Sequence, residues 1–529
     1  MGLYKHQLEA VERFHDKSEI GLGFEMGCGK SATVLTIAQR KFEAGEIDRV
    51  LIIAPNDVHR QWYNEQLELW LGCNYQARCI FGRGGMKKFL GFHNITPDTL
   101  MVVCVNIETF STKSKWKLVS QWANAGRTFI ILDEATSIKN PSSLRSQNIL
   151  YGLNNNTIRR GKRMLSTTIL GPCRAVLTGT PVTNGPMDLW AIMEFLRPNF
   201  FGRNWYSFRQ HYCMLFTMNV AAGAVSVPLT ENVWCAVKNI NDFARANHLF
   251  GVSEDTFNVI HSQTQFQGAF KHADELKQLI SDVWAFKLLK DCADMPEQVY
   301  TVHSVGMSIE QERCYKDMVY EYTTEYAGHS VSALNKLVVM VKLQQISSGF
   351  LFNGDVPVGD DCEVEGDITP DAVTWIGKTN PKLEKLYSDI GESAKPVIVI
   401  TRFSAEAARI YQDLSKIYNP CLITGWKRIG TVDEFKDGKY DIMVANQSVI
   451  ARGFNLQNSC TMLFYSNSFS LELRLQAEGR IFRLGQSRPC QYIDYICEGT
   501  VDKLVVERLR QKKSLLDYIR GVDSLNEII

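Results

Sequence analysis

Short apolar runs recur at intervals along the first third of the chain. Each run is apolar at consecutive positions, so both faces of an extended segment would be apolar. Runs of this kind are typical of buried parallel strands joined by helical crossovers. The strands predicted in this way cover residues 49–55, 100–105, 128–133 and 175–178.

The same pattern returns late in the chain and predicts strands at residues 396–400, 441–444 and 460–465. The stretch from about 195 to 295 is rich in aromatic and polar residues and shows little strand alternation, so we expect it to be mainly helical. The chain is therefore expected to be an α/β protein with two parallel-sheet lobes, at residues 1–195 and 296–529, and a helical elaboration of the first lobe at 196–295.

Composition supports a folded protein and leaves its partners open. Apolar residues make up 45% of the 529 residues and charged residues 22%, which is typical of a soluble globular protein. The formal net charge of +1 gives no sign of a nucleic-acid partner. A local basic track need not appear in a whole-chain sum, so the charge argues only weakly against one.

Cysteines and the N-terminus indicate the compartment. The 14 cysteines are scattered without a CxxC pair, which is typical of reduced, buried thiols in a cytosolic or nuclear protein. The first twenty residues carry dispersed charge and no apolar core of a signal peptide, so secretion is not expected. No run of eighteen apolar residues predicts a membrane span.

A glycine-rich loop follows the apolar residues 20–23. Backbone N–H groups of such a loop can turn toward a phosphate, and the dipole of the following helix adds to the attraction. Lys30 would supply a charge for the β and γ phosphates, and the Ser31 hydroxyl would bind Mg²⁺. Phe24 stands where the strict GxxxxGK[ST] pattern has its first glycine, so the loop alone does not exclude a chance glycine-rich turn.

Asp133 and Glu134 end the strand predicted at 128–133. The aspartate can hold Mg²⁺, often through water, and the glutamate can polarise the water that attacks a phosphate. An isolated acidic pair at a strand end is also compatible with a helix cap or a turn. Together with the loop at Lys30, the pair predicts an ATPase that uses ATP and Mg²⁺.

The ordered series of motifs resembles the Swi/Snf branch of the superfamily-two helicases. Residues 3–7 resemble the opening element of that branch, residues 25–31 resemble its EMGLGKT, and residues 53–55 with Gln61 and Trp62 resemble motif Ia. Residues 133–140 resemble the DEAH or DESH box with its following K-N pair, and residues 177–190 resemble the LTGTP-N-LW element. In the second lobe, residues 452–456 resemble motif V, and residues 476–486 followed by 500–502 resemble motif VI.

This resemblance implies two RecA-like lobes that close on one ATP, and it implies roles for individual residues. The implied ATP-binding residues are Gln7, which would read adenine, with Gly27, Cys28, Gly29, Lys30 and Ser31. The implied metal ligands are Ser31 and Asp133, and the implied catalytic residues are Glu134, Arg480 and Arg483. The implied coupling residues are Thr178, Gly179, Thr180, Gly453 and Gln476.

Arg480 and Arg483 are expected to act together. Their spacing of three corresponds to about one helical turn, so one helix face would present both across the cleft between the lobes. An arginine that reaches the γ-phosphate can stabilise the charge that develops there. A solvated basic helix face is the alternative interpretation.

Two departures from the branch affect the expectations. Thr136 replaces the histidine that couples the ATP site to inter-lobe contacts in the family, so that coupling must run differently. The segment between residues 141 and 175 is longer than usual and carries a basic cluster, composed of Arg159, Arg160, Lys162 and Arg163.

The leading functional hypothesis is an ATP-dependent translocase on double-stranded DNA that grips phosphates without sequence specificity. Candidate DNA contacts, by motif position, are Gln61, Asn184, Arg402 and Ser448. The basic cluster is a weaker candidate, because exposed basic runs are more often plain surface. Strand separation or branch migration on branched DNA or RNA is one alternative, and displacement of DNA-bound protein such as RNA polymerase is another. A scaffold with a dead ATPase is the third, and the intact Lys30, Asp133 and Glu134 argue against it.

Overall fold

The computed structural model describes most of the chain in two compact units. It describes residues 2–520 apart from 57, 81–91, 93–97, 113–114, 152–172, 183–184, 203, 221–222, 229–230, 263–270, 293, 321–322, 327–328, 333–335, 353–367, 369 and 452–453. The first unit is Met1–Cys292 with Ser514–Ile529, and the second is Ala293–Lys513. Asn184, Gly453 and the basic cluster lie outside the described residues.

A parallel sheet forms the centre of the first unit. Its seven described strands follow the order β3-β4-β2-β5-β6-β1-β9, and all neighbours are parallel. The strands of this unit are β1 (Glu19–Phe24), β2 (Arg49–Ala54), β3 (Tyr75–Ile80), β4 (Leu100–Asn106), β5 (Thr128–Asp133), β6 (Cys173–Leu177), β7 (Leu215–Val220), β8 (Gly223–Pro228) and β9 (Trp284–Lys287).

Helices connect these strands, as parallel pairing requires. They are α1 (Lys5–Phe14), α2 (Lys30–Glu43), α3 (Val58–Gln61), α4 (Leu67–Trp70), α5 (Lys115–Asn124), α6 (Leu144–Tyr151), α7 (Met187–Leu196), α8 (Trp205–Tyr212), α9 (Glu231–Lys238), α10 (Phe243–Phe250), α11 (Glu254–Ser262), α12 (Ala273–Ser281) and α13 (Leu289–Cys292). A π-helical turn, Trp62–Gln66, joins α3 to α4, and 3₁₀ turns span Ile107–Ser111 and Ala135–Ile138.

The stretch between α8 and α12 is an insertion with a core of its own. Antiparallel β7 and β8 and helices α9 to α11 enclose a small apolar cluster around Trp234, Val237 and Ile260. At its base, the Lys271 N–H donates to the Tyr212 carbonyl at 2.9 Å. The expected helical character is confirmed, but the β7–β8 hairpin was not predicted, and β9 belongs to the main sheet.

A second parallel sheet forms the centre of the other unit. Its seven described strands follow the order β10-β20-β19-β15-β18-β16-β17, and only β17 is antiparallel to its neighbour. The strands of this unit are β10 (Gln298–Val305), β11 (Thr323–Tyr326), β12 (His329–Ser332), β13 (Phe350–Phe352), β14 (Val373–Trp375), β15 (Val397–Thr401), β16 (Pro420–Ile423), β17 (Arg428–Ile429), β18 (Ile442–Asn446), β19 (Thr461–Phe464) and β20 (Cys490–Cys497).

Helices cover both faces of this sheet. Along β15, Ile398 and Ile400 join one apolar cluster and Val397 and Val399 join another, as alternation in a strand buried on both faces requires. The helices are α14 (Ile309–Tyr320), α15 (Lys336–Ser347), α16 (Pro381–Glu392), α17 (Ser404–Leu414), α18 (Val432–Lys436), α19 (Gln447–Ile450), α20 (Leu471–Glu478) and α21 (Val501–Arg520), with a 3₁₀ turn at Pro370–Ala372.

The prediction of an α/β fold with two parallel-sheet lobes is thus confirmed, and each strand predicted from an apolar run is present. Among the described residues, no helix is long and apolar enough to span a membrane.

A buried ion pair ties three helices of the second unit together. Lys382 of α16, which is fully buried, donates to the Asp502 carboxylate of α21 at 2.8 Å. Ser347 of α15 donates to the other carboxylate oxygen at 2.9 Å, and the Cys497 N–H adds a further bond at 3.2 Å. Asp502 stands in the stretch that resembles the continuation of motif VI, so its role in the structure is to hold helices in place.

Substituting Lys382 by Met should destabilise the protein strongly. The substitution keeps most of the side-chain volume but leaves the Asp502 charge buried without its cation, which typically costs about 3–5 kcal/mol. Urea unfolding of the full chain measures the loss. Lys385→Met on the same helix is the matched control, because the Lys385 ammonium is exposed and its partner Asp389 keeps its hydrogen bonds to His303 and Tyr495 when Lys385 is replaced. The loss in this variant should therefore be clearly smaller. Equal losses in the two variants would contradict this account of Asp502.

Candidate active site

The candidate site lies where three neighbouring strands end. Leu22 of β1 pairs with Leu177 of β6, and Leu177 pairs in turn with Asp133 of β5. The loop after β1, the residues 178–180 after β6, and Glu134 after β5 therefore emerge side by side at the carboxyl edge of the sheet. Open α/β sheets bind ligands at this edge.

The glycine-rich loop is shaped by two residues with left-handed backbone. Gly27 has φ 87° and Gly29 has φ 79°, a region that favours glycine. Helix α2 begins directly afterwards at Lys30, so its first N–H groups are directed toward the loop. The Lys30 ammonium donates to the Phe24 carbonyl at 2.9 Å, which holds the side chain across the loop.

Residues of the N-terminal segment brace the same loop. The Gln7 side-chain amide accepts from the Tyr4 N–H at 2.9 Å and donates to the Cys28 carbonyl at 3.2 Å. A ring nitrogen of His6 lies 2.9 Å from that carbonyl. A Cβ atom at Gly29 would collide with the Gln7 amide, so the contact depends on glycine at this position.

The residues after β6 pack against the loop. A Cβ atom at Gly179 would lie 3.3 Å from the Phe24 carbonyl oxygen, the atom that Lys30 binds. Thr178 accepts from the Thr180 N–H at 3.1 Å and shapes the turn. Gly179, one of the predicted coupling residues, therefore lies against the predicted phosphate loop, and Thr178 and Thr180 form the turn that contains it.

Asp133 is held by Trp62, which was named from the sequence only as part of the motif Ia resemblance and not as a partner of Asp133. The Trp62 indole N–H donates to one Asp133 carboxylate oxygen at 2.8 Å, and the Glu134 N–H donates to the other at 3.0 Å. Burial raises the pKa of Asp133 above its usual value, while the Trp62 hydrogen bond and the Lys30 charge act in the opposite direction. Trp62 is the first residue of the π-helical turn, and such turns are frequent at functional sites.

Glu134 adopts an unusual backbone conformation. Its φ of 50° and ψ of 62° place a non-glycine residue in the left-handed region. Such strain costs about 1–3 kcal/mol and is concentrated at functional sites. This conformation occurs at the single residue between the end of β5 at Asp133 and the 3₁₀ turn Ala135–Ile138.

These side chains fit a magnesium ion that arrives with a nucleotide. Ser31 offers a hydroxyl in the first turn of α2, and Asp133 offers a carboxylate whose protein neighbours are hydrogen-bond donors. The described residues contain no group of three or more His, Cys, Asp or Glu side chains that could hold a metal. Mg²⁺ commonly binds through one or two protein ligands plus phosphate oxygens and water, which matches this sparse set.

The predicted catalytic arginines lie in the second unit and converge on one backbone atom. Arg480 and Arg483 donate to the Phe454 carbonyl oxygen at 3.5 and 3.4 Å, and Arg480 also donates to the Ala451 carbonyl. Burial lowers the pKa of Arg483. The expectation that one helix face presents both arginines is wrong, because α20 ends at Glu478 and both residues follow in turns.

Two glutamines of the motif VI region have different surroundings. Gln476 lies on α20, where its amide donates to Glu472 at 3.2 Å. Gln486 is buried, and its amide donates to the carbonyls of Gln457, Ser459 and Ile481. Gln486 therefore stabilises the loops around the arginines.

The described candidates for nucleic-acid contact all follow strand ends. Thr401 of β15 pairs with Asn446 of β18, so Arg402 and the exposed Ser448 leave the same edge of the second sheet. The Arg402 guanidinium donates to Gln344 and lies 5.3 Å from the Phe469 ring centre. Gln61, in the first unit, is exposed on α3, and Thr136 is buried in the 3₁₀ turn after Glu134.

The strand order and the loop at Lys30 define an α/β protein of the phosphate-loop class, with a second parallel-sheet unit. The sequence pattern of the SNF2-related domain matches residues 6–349, well over half of the chain, and that of the helicase conserved C-terminal domain matches residues 381–485. The chain belongs to the SNF2-related family of helicase-like ATPases.

Individual relatives are distant in sequence. Protein p41 of Acyrthosiphon pisum secondary endosymbiont phage 1 is 22% identical, over 93% of this chain and 92% of p41. The ISWI chromatin-remodeling complex ATPase CHR11 of Arabidopsis thaliana is 24% identical over 93% of this chain, which spans only 40% of that longer protein. The solved Sulfolobus solfataricus SWI2/SNF2 ATPase core in complex with dsDNA is 18% identical, over 99% of this chain and 94% of that chain, with a TM-score of 0.38.

Replacing Trp62 by Phe should weaken the response to magnesium. The variant keeps an aromatic ring but removes the N–H bonded to Asp133, which favours the protonated carboxyl and frees its orientation. Loss of a buried partner typically costs about 1–3 kcal/mol, so the Mg²⁺ concentration that half-saturates binding of a fluorescent ATP analogue should rise roughly tenfold.

Trp116→Phe is the matched control for this prediction. Trp116 is equally buried and belongs to the apolar core of the same unit. The control should lose stability by a similar amount and keep the parent response to Mg²⁺. A Trp62→Phe protein with an unchanged Mg²⁺ titration would show that the indole does not position Asp133.

Proposed function

We propose that this protein is a magnesium-dependent ATPase that moves along double-stranded DNA, with ATP bound at the carboxyl edge of the first sheet. The observation that carries the proposal is the meeting of Lys30, Asp133 and Glu134 at neighbouring strand ends. These residues supply a phosphate cation, a metal ligand and a carboxylate for the attacking water, the components that phosphoryl transfer to water requires.

Binding of ATP would exchange internal hydrogen bonds for bonds to phosphate. The Lys30 ammonium would leave the Phe24 carbonyl for the β and γ phosphates, a short movement because both lie at the same loop. Asp133 and Ser31 would hold Mg²⁺, which neutralises charge on the phosphate oxygens when bound. Glu134, which directly follows the proposed metal ligand Asp133, would orient the attacking water.

The arginines of the second unit would complete hydrolysis. Arg480 and Arg483 carry fixed positive charge, and the Phe454 carbonyl that both contact holds them side by side. Because they belong to a different unit from Lys30, the first unit alone would bind nucleotide and fail to turn it over. Gln7 is proposed to read adenine, with its amide already held at the loop.

DNA is proposed as the track on three grounds. The family is helicase-like, and the similar Arabidopsis protein is named a chromatin-remodeling ATPase. Arg402 and Ser448, at the edge of the second sheet, and Gln61 would contact phosphates, which carry most of the affinity for nucleic acid. Strand separation on branched DNA and displacement of bound protein are the alternatives that use the same chemistry. A comparison of ATPase stimulation by duplex and forked DNA distinguishes strand separation from translocation.

Duplex DNA should stimulate ATP hydrolysis more than RNA does. The comparison uses duplex, single-stranded and forked DNA and RNA in parallel, with phosphate release as the measurement. Stimulation should fall steeply as salt increases, because binding to phosphates releases counterions. Glu134→Gln should bind ATP with parent affinity and hydrolyse none, which identifies the site responsible.

Two results would contradict the proposal in different ways. Equal stimulation by RNA, or none by any nucleic acid, would remove the DNA track and leave the ATPase. Hydrolysis that survives in Glu134→Gln or Lys30→Ala would remove the assigned site. Preference for a fork over a plain duplex, with strand release, would favour the helicase alternative.

Arg483→Ala should lower the DNA-stimulated rate by about a hundredfold or more while ATP affinity changes only a fewfold. An arginine that acts on the transferred phosphate contributes about 10³–10⁵ in rate, and its effect falls on turnover rather than on binding. Single-turnover rates and nucleotide titrations measure the two quantities separately.

Arg488→Ala is the control for this arginine. Arg488 is exposed in the same segment and donates to the Asn458 carbonyl at 2.6 Å, so the substitution removes a nearby positive charge without touching Phe454. It should leave the rate near that of the parent. Equal effects of the two substitutions would assign the loss to local charge and not to Arg483 itself.

A further inference from the structure

Two cysteine thiols lie near each other at the glycine-rich loop that precedes Lys30. Cys28 lies between Gly27 and Gly29 of that loop, and its side chain is fully buried. Cys292, the last residue of α13, is half-buried, and its thiol lies close enough to that of Cys28 for each thiol to affect the pKa of the other. The residues are far apart in the sequence, so this pairing is a product of the fold.

The backbone around the pair holds it in place. Phe24 pairs with Lys287 in the parallel ladder of β1 and β9, and the Glu25 N–H donates to the Lys287 carbonyl at 2.8 Å. The Leu289 N–H donates to the Glu25 carboxylate at 2.8 Å, which fixes the start of α13 against the loop. The Cys28 sulfur lies 4.0 Å from the Lys287 carbonyl oxygen.

We propose that Cys28 and Cys292 form a disulfide when a two-electron thiol oxidant such as hydrogen peroxide is supplied, and that the disulfide blocks nucleotide binding. The second half of this inference rests on the function proposed above. The first half concerns only the chemistry of the two sulfur atoms.

The order of the steps follows from exposure. Cys292 is the more accessible thiol, so its sulfur attacks one peroxide oxygen and becomes a sulfenic acid while the O–O bond breaks and water leaves. The Cys28 sulfur then attacks the Cys292 sulfur, the S–O bond breaks, and a second water leaves. Two thiols lose two protons and two electrons, and peroxide is reduced to two waters.

The free thiols are expected to persist until oxidant is present. Burial raises the pKa of Cys292 and of Cys28, so both are protonated at neutral pH. Thiolates are the reactive form, so such a pair reacts slowly with weak oxidants. In this respect the pair differs from a structural disulfide, which would form during folding.

A disulfide would restrain the loop at its most sensitive residue. The Cys28 carbonyl already accepts hydrogen bonds from Gln7 and His6, so its backbone is held on one side. A covalent bond to α13 would hold the side chain on the other. The loop must turn its N–H groups toward phosphate, and a shift of about 1 Å in a positioned group can cost on the order of a hundredfold.

The test oxidises the full-length protein with hydrogen peroxide and measures two quantities. Alkylation under denaturing conditions followed by peptide mass spectrometry detects a crosslinked pair of peptides that contain Cys28 and Cys292. Titration with a fluorescent ATP analogue measures binding before oxidation, after oxidation, and after reduction with dithiothreitol. We expect the crosslink, at least about a tenfold loss of affinity, and recovery on reduction.

Two variants make the result specific. Cys292→Ser should bind nucleotide like the reduced parent and keep that affinity in peroxide. Cys73→Ser, which removes another half-buried cysteine of the same unit, should remain as sensitive as the parent. The comparison separates the proposed crosslink from general oxidative damage.

Each outcome decides one part of the inference. Absence of the Cys28–Cys292 crosslink at oxidant levels that modify other cysteines would overturn it entirely, whatever the ATPase activity. A crosslink that leaves nucleotide binding unchanged would overturn the block. Failure of the reduced protein to bind any nucleotide would count against the proposed function, while the mass spectrum would still report on the thiol pair.

Discussion

The parallel register of β1, β6 and β5 is the constraint on which the candidate site depends. Because Leu177 is paired with Leu22 on one side and with Asp133 on the other, three loops must leave the sheet at the same level. Side chains that are distant along the chain then come within reach of one ligand. Two further contacts position individual groups at this edge. The Trp62 indole donates a hydrogen bond to Asp133, and Gly179 packs on the Phe24 carbonyl.

The cationic groups near both sheet edges are occupied by the protein's own oxygens. Lys30 holds the Phe24 carbonyl, Arg483 holds the Phe454 carbonyl, and Arg402 holds the Gln344 amide. A phosphate bound at any of these groups, as proposed, would have to displace an internal partner, and the net gain would be the difference between two sets of bonds. Such an arrangement keeps the charged side chains ordered before a ligand arrives, which lowers the entropic cost of binding.

Sequence patterns predicted the parts of the fold that depend on continuous burial. The strand at residues 128–133 was predicted to the residue, because β5 is buried along its whole length. Strand β3 was missed because half-buried and exposed positions alternate along it and only Ile80 is buried, and β20 was missed because it contains Asp494. That aspartate is buried in a pair with Arg474, a partner that no local pattern in the sequence identifies.

The candidate site likewise contains features that the sequence motifs indicate and features that they do not. The loop at Lys30 and the pair at Asp133 were predicted because their chemistry is contained in short motifs. The role of Trp62 could not be predicted, since it depends on a π-helical turn and on an acceptor 71 residues away. The helical geometry expected for Arg480 and Arg483 was wrong because a spacing of three is compatible with successive turns as well as with a helix.

The insertion between α8 and α12 has a consequence for how such chains diversify. Its path begins and ends at one hydrogen bond, from the Lys271 N–H to the Tyr212 carbonyl, and its apolar cluster is separate from the core of the sheet. Closing a loop of different length changes the chain entropy only with the logarithm of that length. Tyr212 and Lys271 therefore mark the two ends of a segment that evolution or an engineer can replace with a different one. The sheet and its carboxyl edge would stay intact.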